Sequence, residues 1–269
     1  MLVPGDTNST LAGALAAVKM GMPVAHVEAG ARSFDMGMAE EVNRVLTDHC
    51  SSVLFTVSEN CSRNLAAEGI DASKVHLVGD TMYESIQSHM KDIEDDDIVE
   101  RLGLEEPFAV LTVHRAENTD NEDRLRCIFL ALKNMKSRIV FPCHPRTRGR
   151  LKEMGLLGEI EGWRHLILVE PLGYYSMLRL VKDANVVLTD SGGIQKEAFW
   201  LGTPCITLRD NTEWIETLEL GMNKLVGADP DKILKAFKEF KDQKSRASMN
   251  PYNFGGASSK IFDTLKKYP

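Results

Sequence analysis

The chain has 269 residues, enough for about two domains, and its 26% charged and 43% hydrophobic residues are the proportions of an ordinary globular protein. A net charge of −7 argues against a nucleic-acid surface as its main business, and no stretch has the pattern of a membrane span or a secretion signal. Five scattered cysteines (50, 61, 127, 143, 205) without C-x-x-C pairing argue against a disulfide framework and a cysteine zinc site, and point to a reducing, cytoplasmic setting.

In chain order, a strand stub meets a Gly5-Asp-Thr turn and an Ala-rich helix over 8–20, capped by Thr or Asn. So short a first strand leads us to expect that an N-terminal portion is lacking. A buried strand at Val24–Val27 carries Glu28-Ala-Gly at its carboxyl end, and a helix follows over 40–49. Glu40 and Arg44, four residues apart, share a face of that helix, as a plain helical ion pair would. Strand Val53–Val57, a Ser58-capped helix to Leu65, strand Val75–Val78 and a helix from Gly79 to about Lys91 complete a first alternating unit. An acidic run from Glu94 is expected to be a solvated turn or helix start, and Arg101–Pro107 the boundary.

A second alternating unit begins with strand Phe108–Val113, which ends in His114-Arg-Ala-Glu-Asn. Helix 121–135, strand Arg138–Pro142 ending in Cys143-His-Pro-Arg, helix 147–154, strand Leu166–Val169 and helix 174–182 follow. Strand Val186–Thr189 then runs through Asp190-Ser-Gly-Gly into a helical pattern that opens at Ile194 and stops at Gly202–Pro204, before a short strand Cys205–Leu208. A short helix after Arg209, a last strand from Asn223, helices near 230–241 and 257–267, and a turn-rich linker Asn250–Gly256 close the chain. The alternation predicts an α/β protein with two Rossmann-like parallel-sheet domains facing a cleft. Residues 1–103 form the incomplete first domain, residues 104–251 the second, and helix 252–269 packs back on the first.

Polar residues gather at the carboxyl ends of the predicted strands, where open α/β sheets bind ligands. The Ser191-Gly192-Gly193 turn leads into a helix start, which is either an anion cradle or a plain join with Asp190 or Ser191 as N-cap. Glu197, one turn in, can reach ribose hydroxyls beside a bound diphosphate. His114, Arg115 and Arg209 are possible charge partners, His144 has a functional claim from its place at a strand end beside Pro-Arg, and Asp6, Glu28 and Glu40 are carboxylates suited to moving protons. His26, His76 and His89 have weak functional claims. The sequence has no phosphate loop of the G-x-x-x-x-G-K-[ST] type, no G-x-G-x-x-G after a strand, no G-x-S-x-G and no H-E-x-x-H, so no metal or cofactor is indicated.

With these residues in place, the sequence resembles the non-hydrolysing UDP-N-acetylglucosamine 2-epimerases. The resemblance rests on Gly5-Asp-Thr, His26-Val-Glu-Ala-Gly-Ala-Arg-Ser, Glu40-Glu-Val-Asn-Arg, Thr112-Val-His-Arg-Ala-Glu-Asn, His144-Pro-Arg, Thr189-Asp-Ser-Gly-Gly-Ile-Gln-Lys-Glu-Ala, Gly202-Thr-Pro and Arg209-Asp-Asn-Thr-Glu, in order over essentially the whole chain. It implies the two-Rossmann-domain (GT-B-like) fold, a homodimer, and inversion of C2 of a UDP-sugar by elimination of UDP to a glycal and its re-addition, without cofactor. It implies Asp6, Glu28 and Glu40 as acid/base residues and His114 near the leaving phosphate. Ser191, Gly192 and Gly193 would form the diphosphate cradle and Glu197 would bind ribose, with Arg44, His144 and Arg209 as further site positions.

Three departures qualify the match. The family's N-terminal Gly-Thr-Arg-Pro-Glu segment has no counterpart, so an inactive, truncated UDP-sugar-binding module is one alternative. Ala39 stands where the family usually has Pro. Thr212-Glu-Trp-Ile-Glu and Gly79-Asp-Thr-Met-Tyr replace Thr-Glu-Arg-Pro-Glu and Gly-Asn-Thr-Val, as in relatives that act on UDP-2,3-diacetamido-glucuronate. A glycosyltransferase of the same fold and a hydrolysing epimerase are further readings; three carboxylates in the first half favour C2 chemistry over sugar transfer.

Overall fold

The apolar runs of the sequence become two parallel sheets. The computed structural model describes residues 1–105, 107–241, 251–252 and 255–268. One sheet holds β1 (Leu2–Pro4), β2 (Ala25–Ala29), β3 (Val53–Thr56) and β4 (Val75–Leu77), in the order β1-β2-β3-β4. The other holds β5 (Phe108–Thr112), β6 (Arg138–Pro142), β7 (Leu166–Val169), β8 (Val186–Thr189), β9 (Cys205–Thr207) and β10 (Asn223–Leu225), in the order β10-β9-β8-β5-β6-β7. All the strand pairings are parallel. Helices cover such strands on both faces, so their sequences run apolar rather than alternating. Every residue of β3, β5 and β8 is buried.

The chain divides into one unit of Met1–Ser88 with Met249–Pro269 and another of His89–Ser248. The division falls before the Arg101–Pro107 stretch expected to mark it, for a packing reason. The helix expected to run to Lys91 ends at Ser88, and separate short helices follow at Met90–Glu94 and Ile98–Arg101. Ile98 and Leu104 pack with Phe108, Val110, Leu180 and Val181, while Arg179 bonds to the Glu94 and Asp96 carbonyls and the Glu100 carboxylate. These short helices are thereby anchored to the helix Tyr174–Asp183 of the second unit.

In the first unit the helix Ala257–Leu265 supplies Ile261 to a cluster of Ala25, Val53, Phe55 and Val78. Full burial of a side chain such as Phe55 contributes about 1.5–3 kcal/mol. The return is fixed by Asp80 N–H donating to the Tyr252 carbonyl at 3.2 Å and by Ser258 N–H and Oγ–H donating to Glu84 Oε2 at 2.9 and 2.7 Å. Of the expected linker, Asn250, Asn253 and Phe254 lie outside the described residues. No helix among the described residues is long and apolar enough to cross a membrane.

Candidate functional site

The first unit gathers its candidate residues at the carboxyl ends of β1 and β2, which are paired. The turn after β1 is held on both sides of one residue: Gly5 N–H donates to the Val27 carbonyl at 3.0 Å, and the Gly5 carbonyl accepts from His26 Nε2 at 2.8 Å. Thr7 then caps the helix Asn8–Lys19 by accepting from Thr10 N–H. Asp6, fixed between these anchors, has its side chain 29% exposed, with Oδ2 2.6 Å from Arg44 Nη1. Asn43 donates to the Asp6 carbonyl at 2.9 Å. Arg44 and Asn43 stand on the helix Ala39–Cys50, whose next buried carboxylate, Glu41, accepts from Arg44 at 2.8 Å and from the Ser33 and Phe34 N–H groups at 3.0 and 2.8 Å. Glu41 thus closes the 31–38 loop over the helix start, while Glu40 stays half-buried beside it. Sequence spacing alone does not separate Glu40 from Glu41, since i,i+3 and i,i+4 partners both reach Arg44.

Glu28 lies at an irregularity of β2. The register with β3 shifts between Val27 and Ala29, and Glu28 takes φ 74°, a left-handed conformation that costs a non-glycine residue about 1–2 kcal/mol. Such bulges re-aim a side chain at the end of a strand. The bulge ends in Gly30, whose N–H donates to Asp48 Oδ2 at 3.0 Å and whose carbonyl accepts from Asn64 at 2.9 Å.

In the second unit the strand order reverses at β5 and β8, the topological switch point where a doubly wound sheet opens a crevice. His114 and the Asp190–Gly193 turn stand at the carboxyl ends of these two strands. Asp190, fully buried, is their fastener: it accepts from the His114 and Arg115 N–H groups and from Asn118 Nδ2, each at 3.1 Å. Asp190 is therefore not the helix cap. Ser191 is, accepting from Ile194 N–H, and the helix starts at Gly192, two residues before the Ile194 expected. Gly192 and Gly193 present first-turn N–H groups that have no intrahelical acceptor, beside the positive end of the helix dipole. A Cβ on Gly192 would come within 3.1 Å of Glu213 Oε1 and 3.4 Å of Trp214 Nε1, whereas one on Gly193 would meet only Ser191 Oγ at 3.9 Å. Gly193→Ala is accordingly expected to leave the melting temperature within about 2 °C. Scanning calorimetry checks it.

The His114 side chain is 41% exposed, with Nδ1 3.6 Å from Asp190 Oδ1 and its ring centroid 5.9 Å from that of His144. Desolvation holds its pKa below the ordinary 6.5, with Arg115, His144 and Arg146 acting in the same direction and the Asp190 charge opposing them. At pH 7 the ring is neutral and able to donate one N–H. Its ring resonances should titrate below pH 6.5, and Asp190→Asn should lower the midpoint further by removing the opposing charge; a midpoint above 6.5 in the wild type contradicts this. His144 caps the helix Pro145–Glu153 through Nδ1, which accepts from Arg146 N–H at 3.2 Å and leaves the proton on Nε2.

Glu197 is buried one turn into the helix Gly192–Leu201, at 6% exposure. Arg209 is fully buried, with Nη1 2.9 Å from Glu213 and Nη2 2.8 Å from Asn211, so it shapes the 209–214 loop that lies beneath Gly192. Trp214 packs there with its ring 4.0 Å from the Lys196 ammonium. Asn43, Glu41, Asp190 and Asn118 hold the candidate residues rather than being among them; each lies inside a stretch that carries the resemblance, but spacing alone does not show its supporting part.

These features have counterparts among known proteins. A family model described as UDP-N-acetylglucosamine 2-epimerase matches residues 1–266. A UDP-N-acetylglucosamine 2-epimerase of Methanocaldococcus jannaschii is 45% identical over 273 residues, covering 98% of this chain and 74% of that protein. A UDP-2,3-diacetamido-2,3-dideoxy-D-glucuronate 2-epimerase of Pseudomonas aeruginosa is 43% identical over 274 residues, covering 99% and 74%. The crystal structure of the Methanocaldococcus enzyme in complex with UDP-GlcNAc and UDP matches with a TM-score of 0.92 at 44% identity, covering 99% of this chain and 75% of that one.

Proposed function

We propose, from the premise that this chain belongs to the UDP-N-acetylglucosamine 2-epimerase family, that it interconverts UDP-N-acetylglucosamine and UDP-N-acetylmannosamine without consuming UDP. The observation that carries the reading is the pair of carboxylates, Asp6 and Glu28, on the carboxyl ends of two hydrogen-bonded strands, one beside a guanidinium and one on a bulge.

The C2 hydrogen of the sugar is not adjacent to a carbonyl, so its removal as an isolated step is too unfavourable. Loss of the C2 proton coupled to breaking of the C1–O bond avoids the free carbanion and yields a 2-acetamidoglucal and UDP. Return of UDP to C1, with a proton delivered to the opposite face of C2, completes the inversion. Two faces call for more than one proton-carrying group, and Asp6, Glu28 and Glu40 are the acid/base residues of this reading. Negative charge grows on the departing diphosphate. Ser191, the Gly192 and Gly193 N–H groups and the neutral His114 ring are donors suited to it, with His144 Nε2–H a further one. Glu197 takes the ribose hydroxyls, Arg44 orients Asp6, and Arg209 holds the loop under the cradle. The free cysteines suit a cytoplasmic enzyme, and the family resemblance a homodimer, which light scattering checks.

Incubation with UDP-N-acetylglucosamine in deuterated water tests the reading. Deuterium at C2 with UDP still attached supports it, free UDP supports a hydrolysing enzyme, and UDP binding without turnover supports a binding module. A second substrate is favoured by one observation: the Pseudomonas diacetamido-glucuronate epimerase, at 43% identity, is nearly as similar to this chain as the Methanocaldococcus acetylglucosamine enzyme at 45%. Comparing kcat/KM for the two UDP-sugars decides between them.

A further inference from the structure

His26, whose sequence gave it little functional claim, stands at the centre of a buried charged network in the first unit. It is fully buried on β2. Its Nδ1 lies 2.6 Å from Asp48 Oδ1 and its Nε2 2.8 Å from the Gly5 carbonyl. A carbonyl oxygen only accepts, so Nε2 carries a proton. Asp48 is also buried, and its Oδ2 already accepts from Gly30 N–H at 3.0 Å and faces Arg32 Nη1 at 2.7 Å. Burial opposes ionisation of Asp48, but the hydrogen bonds and charges of His26 and Arg32 outweigh it and hold the carboxyl below its ordinary pKa. The ring is thus held at both nitrogens, by the Asp48 carboxylate and by the Gly5 carbonyl. Arg32 continues the network to Glu68, which it grips at 2.7 and 2.8 Å, and His49 reaches the same carboxylate at 3.1 Å.

The network reaches both candidate carboxylates by short covalent steps. Through His26, one oxygen of Asp48 fixes Gly5, the residue before Asp6. The other oxygen fixes Gly30, two residues after Glu28. We propose that the His26–Asp48 pair is a positioning device for proton transfer at C2, a charged bracket that sets the Asp6 turn and the Glu28 bulge in one fixed relation. Stability alone accounts poorly for it, since replacing buried ion pairs by well-packed apolar groups is often neutral or stabilising. The inference rests on the assignment of Asp6 and Glu28 to proton transfer.

The test combines spectroscopy with kinetics on the full chain. In chain labelled with 15N-histidine, His26 Nε2 should carry a proton protected from exchange by the Gly5 carbonyl, and Asp48→Asn should weaken that protection. An Nε2 without a proton in the wild type overturns the proposal. His26→Phe and Asp48→Asn should lower kcat for C2 exchange on UDP-N-acetylglucosamine about ten- to a hundredfold, the scale of a misplaced reacting group, with KM and UDP affinity within about threefold. His26→Gln, whose amide can still donate to the Gly5 carbonyl, should recover part of that loss. Wild-type kcat in folded His26→Phe, or a parallel loss of kcat and UDP affinity in every variant, overturns it. If His26→Phe does not fold, the wild-type spectrum and the kinetics of His26→Gln and Asp48→Asn still decide. Asp6→Asn and Glu28→Gln run alongside separate the two levels. If they exchange normally, the carboxylate assignment fails and takes the bracket with it. If they are slow while the His26 and Asp48 variants are normal, only the bracket fails.

Discussion

Asp6→Asn is expected to slow C2 exchange by about 10²–10⁴-fold while leaving UDP affinity within about threefold. The size follows from removing the proposed proton carrier without removing its surroundings. The turn is held by its main chain, through Gly5 N–H, the Gly5 carbonyl and the Asn43 contact with the Asp6 carbonyl, none of which the substitution touches. Asn has nearly the shape of Asp, and Arg44 keeps Glu41 as an ionic partner, so no guanidinium is left buried without a counter-charge. The diphosphate donors assigned above stand in the other unit. Deuterium incorporation at C2 measures the first quantity and titration calorimetry the second. Exchange within threefold of wild type places proton transfer on other residues, with Glu28 and Glu40 the next to substitute.

Gly30→Ala is expected to be the most damaging single-methyl change in the first unit, at about 2–5 kcal/mol. The residue has φ 80°, where an L side chain costs about 1–2 kcal/mol. A Cβ there would lie 2.3 Å from the Cys61 carbonyl oxygen, 2.8 Å from its carbon and 3.0 Å from Leu65 Cγ. Two of those atoms are backbone of the helix Glu59–Ala67, so the helix itself must shift, a further cost of about 1–3 kcal/mol typical of overpacking. At about 2–4 °C per kcal/mol for a chain of this size, the midpoint should fall by roughly 4–20 °C. Scanning calorimetry on the variant, with Gly193→Ala as the tolerant control, checks it; an unchanged midpoint refutes the packing argument. The same shift should slow C2 exchange, because Gly30 N–H is one of the two ends that Asp48 holds.

Much of this architecture was legible in the amino-acid sequence, and the limits are physical. Strands β6, β7 and β8 have the bounds expected of them, because each is built on a continuous apolar run without alternation and flanked by polar turns. The helices Ala116–Thr119 and Leu157–Glu161 were missed because four or five residues carry too little periodicity to register. The position of the polar residues at strand ends was readable, but the order of the strands was not, so the switch point between β5 and β8 emerges only in the fold. The conformation of Glu28 was not, since no residue type announces a left-handed glutamate. Nor was the fate of Arg209: a basic residue after a strand suggests an anion partner, and only the fold reveals that Glu213 and Asn211 engage it inside the wall.

The return of the chain end to the first unit has a consequence for the order of events during synthesis. The second unit is one continuous stretch, His89–Ser248, and holds all the strands of its sheet once that stretch has left the ribosome. The first unit is discontinuous: Phe55 and Val78 share their cluster with Ile261, and Asp80 bonds to Tyr252. Domains emerging from the ribosome generally fold N-terminal first. Here part of the earlier-made unit's apolar face stays uncovered until residues 257–265 have been translated, by when all the strands of the later-made unit are out. Closing a loop of that span adds entropy cost only slowly with length, so the delay falls on the kinetics of folding far more than on the stability of the finished protein.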